Sequence, residues 1–228
     1  MNLVFARESG HLKDEILREA GDVEARLNDV LHAIVSKDKK CLQDIMERDT
    51  EIDNQEVQIE EECLKILALH QPVARDLRFV IAVLKINNDV ERIGDIVVNI
   101  ADRGARLCAY ATPILQAKVN EMGMLVRSML KKSIDALVEL NPVKANEVIA
   151  EDDRVDQLNR DVILGVIAAV STVPPPKEPE ALLLVHSMAR DLERIGDHAT
   201  NIAEDVAYLV DGTIIRHSTS ATMSSAHE

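Results

Sequence analysis

Four pairs of acidic residues in this chain stand four positions apart: Asp49/Asp53, Glu91/Asp95, Asp152/Asp156 and Glu193/Asp197. On a helix that spacing sets both carboxylates of a pair on one face, one turn apart. Like charges so placed repel, and a convergent group of them calls for a cation or a basic partner. Further oxygen donors continue the same faces. Asn99 and Asp102 extend the Glu91/Asp95 stripe, and Asn201 and Glu204 extend that of Glu193/Asp197. Glu56 and Glu60 lie along the Asp49/Asp53 face, and Asn159 along that of Asp152/Asp156. Hard donors of this kind suit Fe³⁺, Mn²⁺, Mg²⁺ or Ca²⁺ rather than structural zinc. A single such pair is common on a solvated helix face. Four at matching positions speak more strongly for metal, although duplication makes two of them non-independent.

Redox chemistry of the di-iron kind uses Glu-x-x-His ligands inside a four-helix bundle, and no Glu-x-x-His occurs here. His198 follows Asp197 directly, which on a helix turns it about 100° away from that carboxylate. A Gly-rich phosphate loop, a Ser/His/Asp set and an activated cysteine are not discernible, so the expectation is a protein that is not an enzyme. A metal-dependent hydrolase or oxidase, or a metal store, is the alternative that the carboxylates alone would support. The main basic residues near the acid faces are Arg75, Arg78, Arg92 and Arg194. They serve either as ion-pair partners of neighbouring acids or as a contact surface for a protein partner.

Helices must position these groups. Ile16, Ala20, Val23, Leu27, Val30 and Ile34 step by four and three, the seam of a packed helix. A second helix is expected from about 39 to 69, entered through Ser36 or Asp38, and a third from Pro72 to about Tyr110, with Pro113 marking the break. The pattern then recurs. Leu115, Val119, Val126, Leu130, Ile134 and Leu137 form another seam, Asn141-Pro142 supplies a cap and first-turn proline, and Pro174, Pro175, Pro176 and Pro179 interrupt the chain before a sixth helix to about Val210. Residues 88–103 (NDVERIGDIVVNIADR) and 190–205 (RDLERIGDHATNIAED) agree at nine of sixteen positions. The expected fold is all-α, two tandem antiparallel three-helix bundles over 1–111 and 112–212, with a frayed tail over 213–228. Val90, Ile93, Val97, Ile100 and Gly104 define the core side of the third helix, which leaves its carboxylates near the surface. Gly94 and Gly196 stand mid-helix, where glycine costs roughly 1 kcal/mol against alanine, and imply close helix approach or backbone access.

Composition narrows the function. Acids outnumber bases by 40 to 26, for a formal charge of −14, and such a surface repels nucleic-acid backbones and anionic lipid. Aromatics are 2% of the chain, so bases would find few stacking platforms. Cys41, Cys63 and Cys108 form no CxxC pair, as in a reduced cytoplasmic protein. No signal peptide is apparent. The longest apolar run, Val162 to Val170, is far short of the roughly 20 residues that span a bilayer; membrane association is expected only peripherally.

The segments QPVARDLRFV, NNDVERIGDIVVNIADR and ARDLERIGDHATNIAEDVAYLV resemble the PhoU family, the phosphate-specific transport system accessory proteins, and the resemblance covers nearly the whole chain. It implies paired three-helix bundles that form homodimers, and multinuclear iron (or Mn, Mg or Ca) clusters on the surface. Asp49, Asp53, Glu91, Asp95, Asp152, Asp156, Glu193 and Asp197 are then the ligand candidates. It also implies a cytoplasmic negative regulator of phosphate uptake and of the phosphate-starvation response. Such a protein links the ATPase subunit of a phosphate ABC transporter to a sensor histidine kinase, and meets the membrane only through those partners.

Overall fold

The computed structural model describes residues 3–48, 50–110, 113–172 and 178–212. Among them are seven helices and no strand: α1 (Leu3–Ser36), α2 (Lys39–Glu47), α3 (Thr50–His70), α4 (Ala74–Leu107), α5 (Pro113–Glu139), α6 (Pro142–Val170) and α7 (Pro179–Asp211). The seams expected from periodicity are buried. Ile16, Val23, Leu27 and Val30 on α1, and Val119, Val126, Leu130 and Leu137 on α5, belong to one continuous core. Leu115 has no described side chain, and Pro174 to Pro176, Asp49 and the tail 213–228 lie outside the described residues.

The duplication reaches into the turns. Lys37 and Leu140, 103 residues apart, are both left-handed, at φ 58° and φ 50°, and end α1 and α5. The next residue caps the following helix in each half. Asp38 accepts from the Cys41 N–H at 3.0 Å, and Asn141 accepts from Val143 and Lys144 N–H at 3.0 and 3.3 Å, which satisfies first-turn donors that have no partner within the helix.

Two boundaries differ from expectation. The single helix expected over 39–69 is broken into α2 and α3 at Arg48. Arg26 of α1 donates to the Arg48 carbonyl at 2.8 Å and to the Glu51 carboxylate at 2.7 Å, so a side chain takes a carbonyl that a continuous helix would use for its own ladder. The second half, with no such break, runs straight through as α6. Pro72 does not open α4; the helix begins at Ala74, and Pro72 sits in the three-residue link after α3.

The first bundle packs α1, α2/α3 and α4 together, the second packs α5, α6 and α7, and α4 on α7 with α1 on α5 join the two. Between α4 and α7 the apolar contact is flanked by buried polar pairs related by the repeat. Asp191 pairs with Arg103, and Asp205, the counterpart of Arg103, pairs with Lys85 at 3.0 Å. Asp89, the counterpart of Asp191, lies 2.8 Å from His198 Nδ1 and accepts from Asn201 at 3.3 Å. Removing one partner of a buried pair strands the other charge. Arg103→Met should therefore cost roughly 2–3 kcal/mol, lowering Tm by about 5–10 °C, and adding Asp191→Leu should recover most of it. A single variant that melts with the parent protein would show that the pair does not hold the bundles together.

Candidate metal centre

Glycine sets the spacing of the helices that carry the acids. A Cβ on Gly94 would lie 3.3 Å from Ile52 Cγ2, and one on Gly196 would lie 3.4 Å from Val155 and 3.6 Å from Asp152 Oδ1. Close helix approach is thus what the mid-helix glycines allow, α3 to α4 in one half and α6 to α7 in the other. In the first half Asp53 on α3 meets Glu91 and Asp95 on α4, each offering a carboxylate oxygen within 4.8 Å of the others. Ligand oxygens about 2.0–2.6 Å from one hard cation stand no more than about 5 Å apart, so the three residues fit such an ion. The cation would neutralise carboxylates that repel one another. The site opens to the surface, with Asp53 exposed and Glu91 and Asp95 half-buried.

Arg92 is the nearby counter-charge, 3.6 Å from Glu91 and 3.8 Å from Asp95. It does not offset burial at Glu91, whose carboxyl is pushed above the ordinary range by desolvation first and by Asp95 next. Glu56 is raised in the same direction by burial, then by Glu60 and Asp53.

In the second half Asp152, Asp156, Glu193 and Asp197 face one another across α6 and α7. Asp152 feels all three of the others and is pushed up to about 6, by burial first and then by Asp197 and Asp156. Glu193 and Asp197 are raised by the same two causes. Among the described residues the second half brings no three such ligand atoms within 4.8 Å. Arg160 lies 3.5 Å from Asp156.

The remaining residues singled out by sequence are dispersed. Asn99 donates to the Asp95 carbonyl at 2.9 Å, exposed Asp102 lies 4.0 Å from Arg106, and Asn201 is drawn across to Asp89. Glu204 is half-buried on α7. Arg194 lies 4.0 Å from Asp191, Arg75 is exposed, and Arg78 is half-buried with its Nε lacking a partner.

Two residues next to the first centre escaped notice in the sequence. Glu19 of α1 is fully buried, and neither carboxylate oxygen has a hydrogen-bond partner. Asn87 of α4, 1% exposed, donates to the Glu56 carbonyl at 2.9 Å while its Oδ1 has no partner. The signal was present: Glu19 falls between Ile16 and Val23 on the apolar seam, and the repeat has Met122 in its place.

Burial, with Glu56, Glu91 and Asp22 adding to it, pushes the Glu19 carboxyl from 4.5 up to about 8. A folded value above the unfolded one means that the native state holds the proton more tightly. The stability this contributes is full below about 4.5 and is lost as pH rises through about 8. After chelation, Glu19→Gln, which keeps the neutral shape, should gain in Tm over the parent protein between about pH 5 and about pH 9. The gain should reach a few kcal/mol, about 5–10 °C. A difference that stays flat across that range would contradict a buried, proton-holding Glu19.

The PhoU domain family model matches residues 16–104 and 119–206, one match in each half. A phosphate-specific transport system accessory protein PhoU homologue of Pseudomonas putida is 36% identical over 214 residues, covering 93% of this chain and 83% of that protein. Its counterpart in Deinococcus radiodurans is 37% identical over 199 residues, 86% of this chain and 92% of that one. Crystal structures agree. PhoU from Pseudomonas aeruginosa superposes with a TM-score of 0.88 at 35% identity, covering 92% of this chain and all of that one. The phosphate transport system regulatory protein PhoU from Streptococcus pneumoniae gives 0.83 at 28% identity, covering 92% and 99%. With both repeats matched and the fold shared across the chain, the protein belongs to the PhoU family.

Proposed function

We propose that this chain is a cytoplasmic negative regulator of phosphate uptake and of the phosphate-starvation response. It acts as a non-enzymatic adaptor between the ATPase subunit of a phosphate ABC transporter and a membrane sensor histidine kinase. The observation that carries this reading is the match of both halves to the PhoU domain, beside relatives named as accessory proteins of phosphate-specific transport. The formal charge of −14 sets the surface against nucleic acid and anionic lipid. Among the described residues no helix is long and apolar enough to cross a membrane, which suits contact with the membrane through those partners. Exposed Leu164, Ile167 and Val170 on one face of α6 suit a homodimer.

On this reading the acid centres bind iron or another hard cation, manganese, magnesium or calcium, and serve regulation. The cation offsets charge that would otherwise be carried by Asp53, Glu91 and Asp95 in one half and by Asp152, Asp156, Glu193 and Asp197 in the other.

Tagged protein from phosphate-replete cells should co-purify with the transporter ATPase or the sensor kinase, and deletion of the gene should raise alkaline phosphatase in rich phosphate. Recovery of neither partner by a folded protein, with unchanged phosphatase, would count against the adaptor. Metal analysis should find bound iron or manganese in the parent protein and a marked loss in Asp95→Ala/Asp197→Ala. A metal content equal in both would remove the cation from the account and leave the adaptor standing.

A further inference from the structure

At the joint between the two bundles α1 and α5 run antiparallel. Arg127 of α5 donates to the Asn28 amide oxygen on α1, and Lys13 of α1 donates to the Val138 carbonyl at 3.1 Å. The helices come close at Gly123, where a Cβ would lie 2.5 Å from Leu31 Cδ2. Beside that contact they leave a groove open to solvent, made of two cavities of about 380 Å³ each that adjoin at Arg127. On α1 it extends from Gly21 to Val35, about 21 Å at the helical rise. A site for a small molecule would enclose its ligand; this one is long and open.

The two ends of the groove differ in chemistry. At one end Met124 and Val35 are 60% and 59% exposed, with half-buried Leu31 between the helices. At the other stand Arg127 and Lys131, with neutral Asn28 and a single acid, Glu24. Among the described residues neither cation has a carboxylate partner. The other cations of α5 and α6, Lys118, Lys132, Lys144, Arg154 and Arg160, each pair with an acid. Two cations without acid partners stand out in a chain of 40 acids and 26 bases. The repeat shows that the fold does not require them: α1 has Glu24 and Asn28 at the positions of Arg127 and Lys131, and Gly21 at that of Met124.

On the reading that this chain is an adaptor, we propose that the α1/α5 groove is a docking site for an acidic amphipathic helix of a partner protein. An occupant of about 14 residues fills its length. Its apolar side chains seat on Leu31, Val35 and Met124, and its acidic side chains, about two turns along the same face, meet Arg127 and Lys131. The formal charge of −14 disfavours an acidic segment elsewhere on the surface, so the cationic end fixes where the helix lies and which way round.

The test uses the tagged full chain in phosphate-replete cells, with the transporter ATPase and the sensor kinase each quantified in the co-purified material over a series of salt concentrations. Met124→Asp and Lys131→Glu, both at exposed positions, should each lower recovery of one of the two partners by about tenfold. The other partner should be recovered as by the parent protein, and melting curves equal to the parent's check the fold. Recovery of the affected partner by the parent should fall with salt, and Lys131→Gln should flatten that fall.

Undiminished recovery of both partners by both variants overturns the docking site and leaves the adaptor standing. Loss with Met124→Asp but not with Lys131→Glu overturns the acidic occupant. Loss of both partners together also overturns the proposal, pointing to a general effect on the protein. A dimeric parent that becomes monomeric with Met124→Asp would give the groove to a second copy of this chain instead. Recovery of neither partner by the parent itself would remove the adaptor together with its groove.

Discussion

Packing of the apolar stripe of α4 (Val90, Ile93, Val97 and Ile100) and of its copy on α7 (Leu192, Ile195, Ala199 and Ile202), all fully buried, fixes where every acid in the two centres stands. Burying one large aliphatic side chain is worth about 1.5–3 kcal/mol. An exposed like-charge pair one helical turn apart costs only about 0.2–0.5 kcal/mol. The stripe therefore decides the register of the helices, and the carboxylates opposite it have no choice but to converge. Where burial deepens the repulsion, the strain appears as carboxyls that hold their protons above the ordinary range: Glu91 in one half, Asp152, Glu193 and Asp197 in the other.

Duplication set up two such arrangements, and the second copy shows which features the scaffold needs. Both halves retain the left-handed turn, the polar cap after it, and the mid-helix glycine that lets two acid-bearing helices approach. The halves part company at the interface and around the acids. Arg103 on α4 has become Asp205 on α7, and each pairs across to the other helix, so divergence of the repeats built the polar flanks that hold them together. Around the acids, Glu19, Glu56 and Asn87 face Met122, Asn159 and Ala189. The first half is the more polar version of the same geometry.

The fold was readable because helical periodicity and the repeat said the same thing twice. Ile16 to Ile34 and Val119 to Leu137 describe one seam, and the acid pairs inherit their faces from it. The break between α2 and α3 was not readable. It depends on Arg26 reaching from another helix to the Arg48 carbonyl, and nothing local to residues 39–69 records that contact. Convergence of Asp53 with Glu91 and Asp95 followed from spacing plus the assumption of antiparallel neighbours. Asn201 looked like a continuation of the acid stripe, yet its amide is taken by Asp89 on the other bundle, a partner visible only in three dimensions. Glu19 was legible in principle as a charge on an apolar seam. Read by its periodicity alone, it merged with the flank of α1.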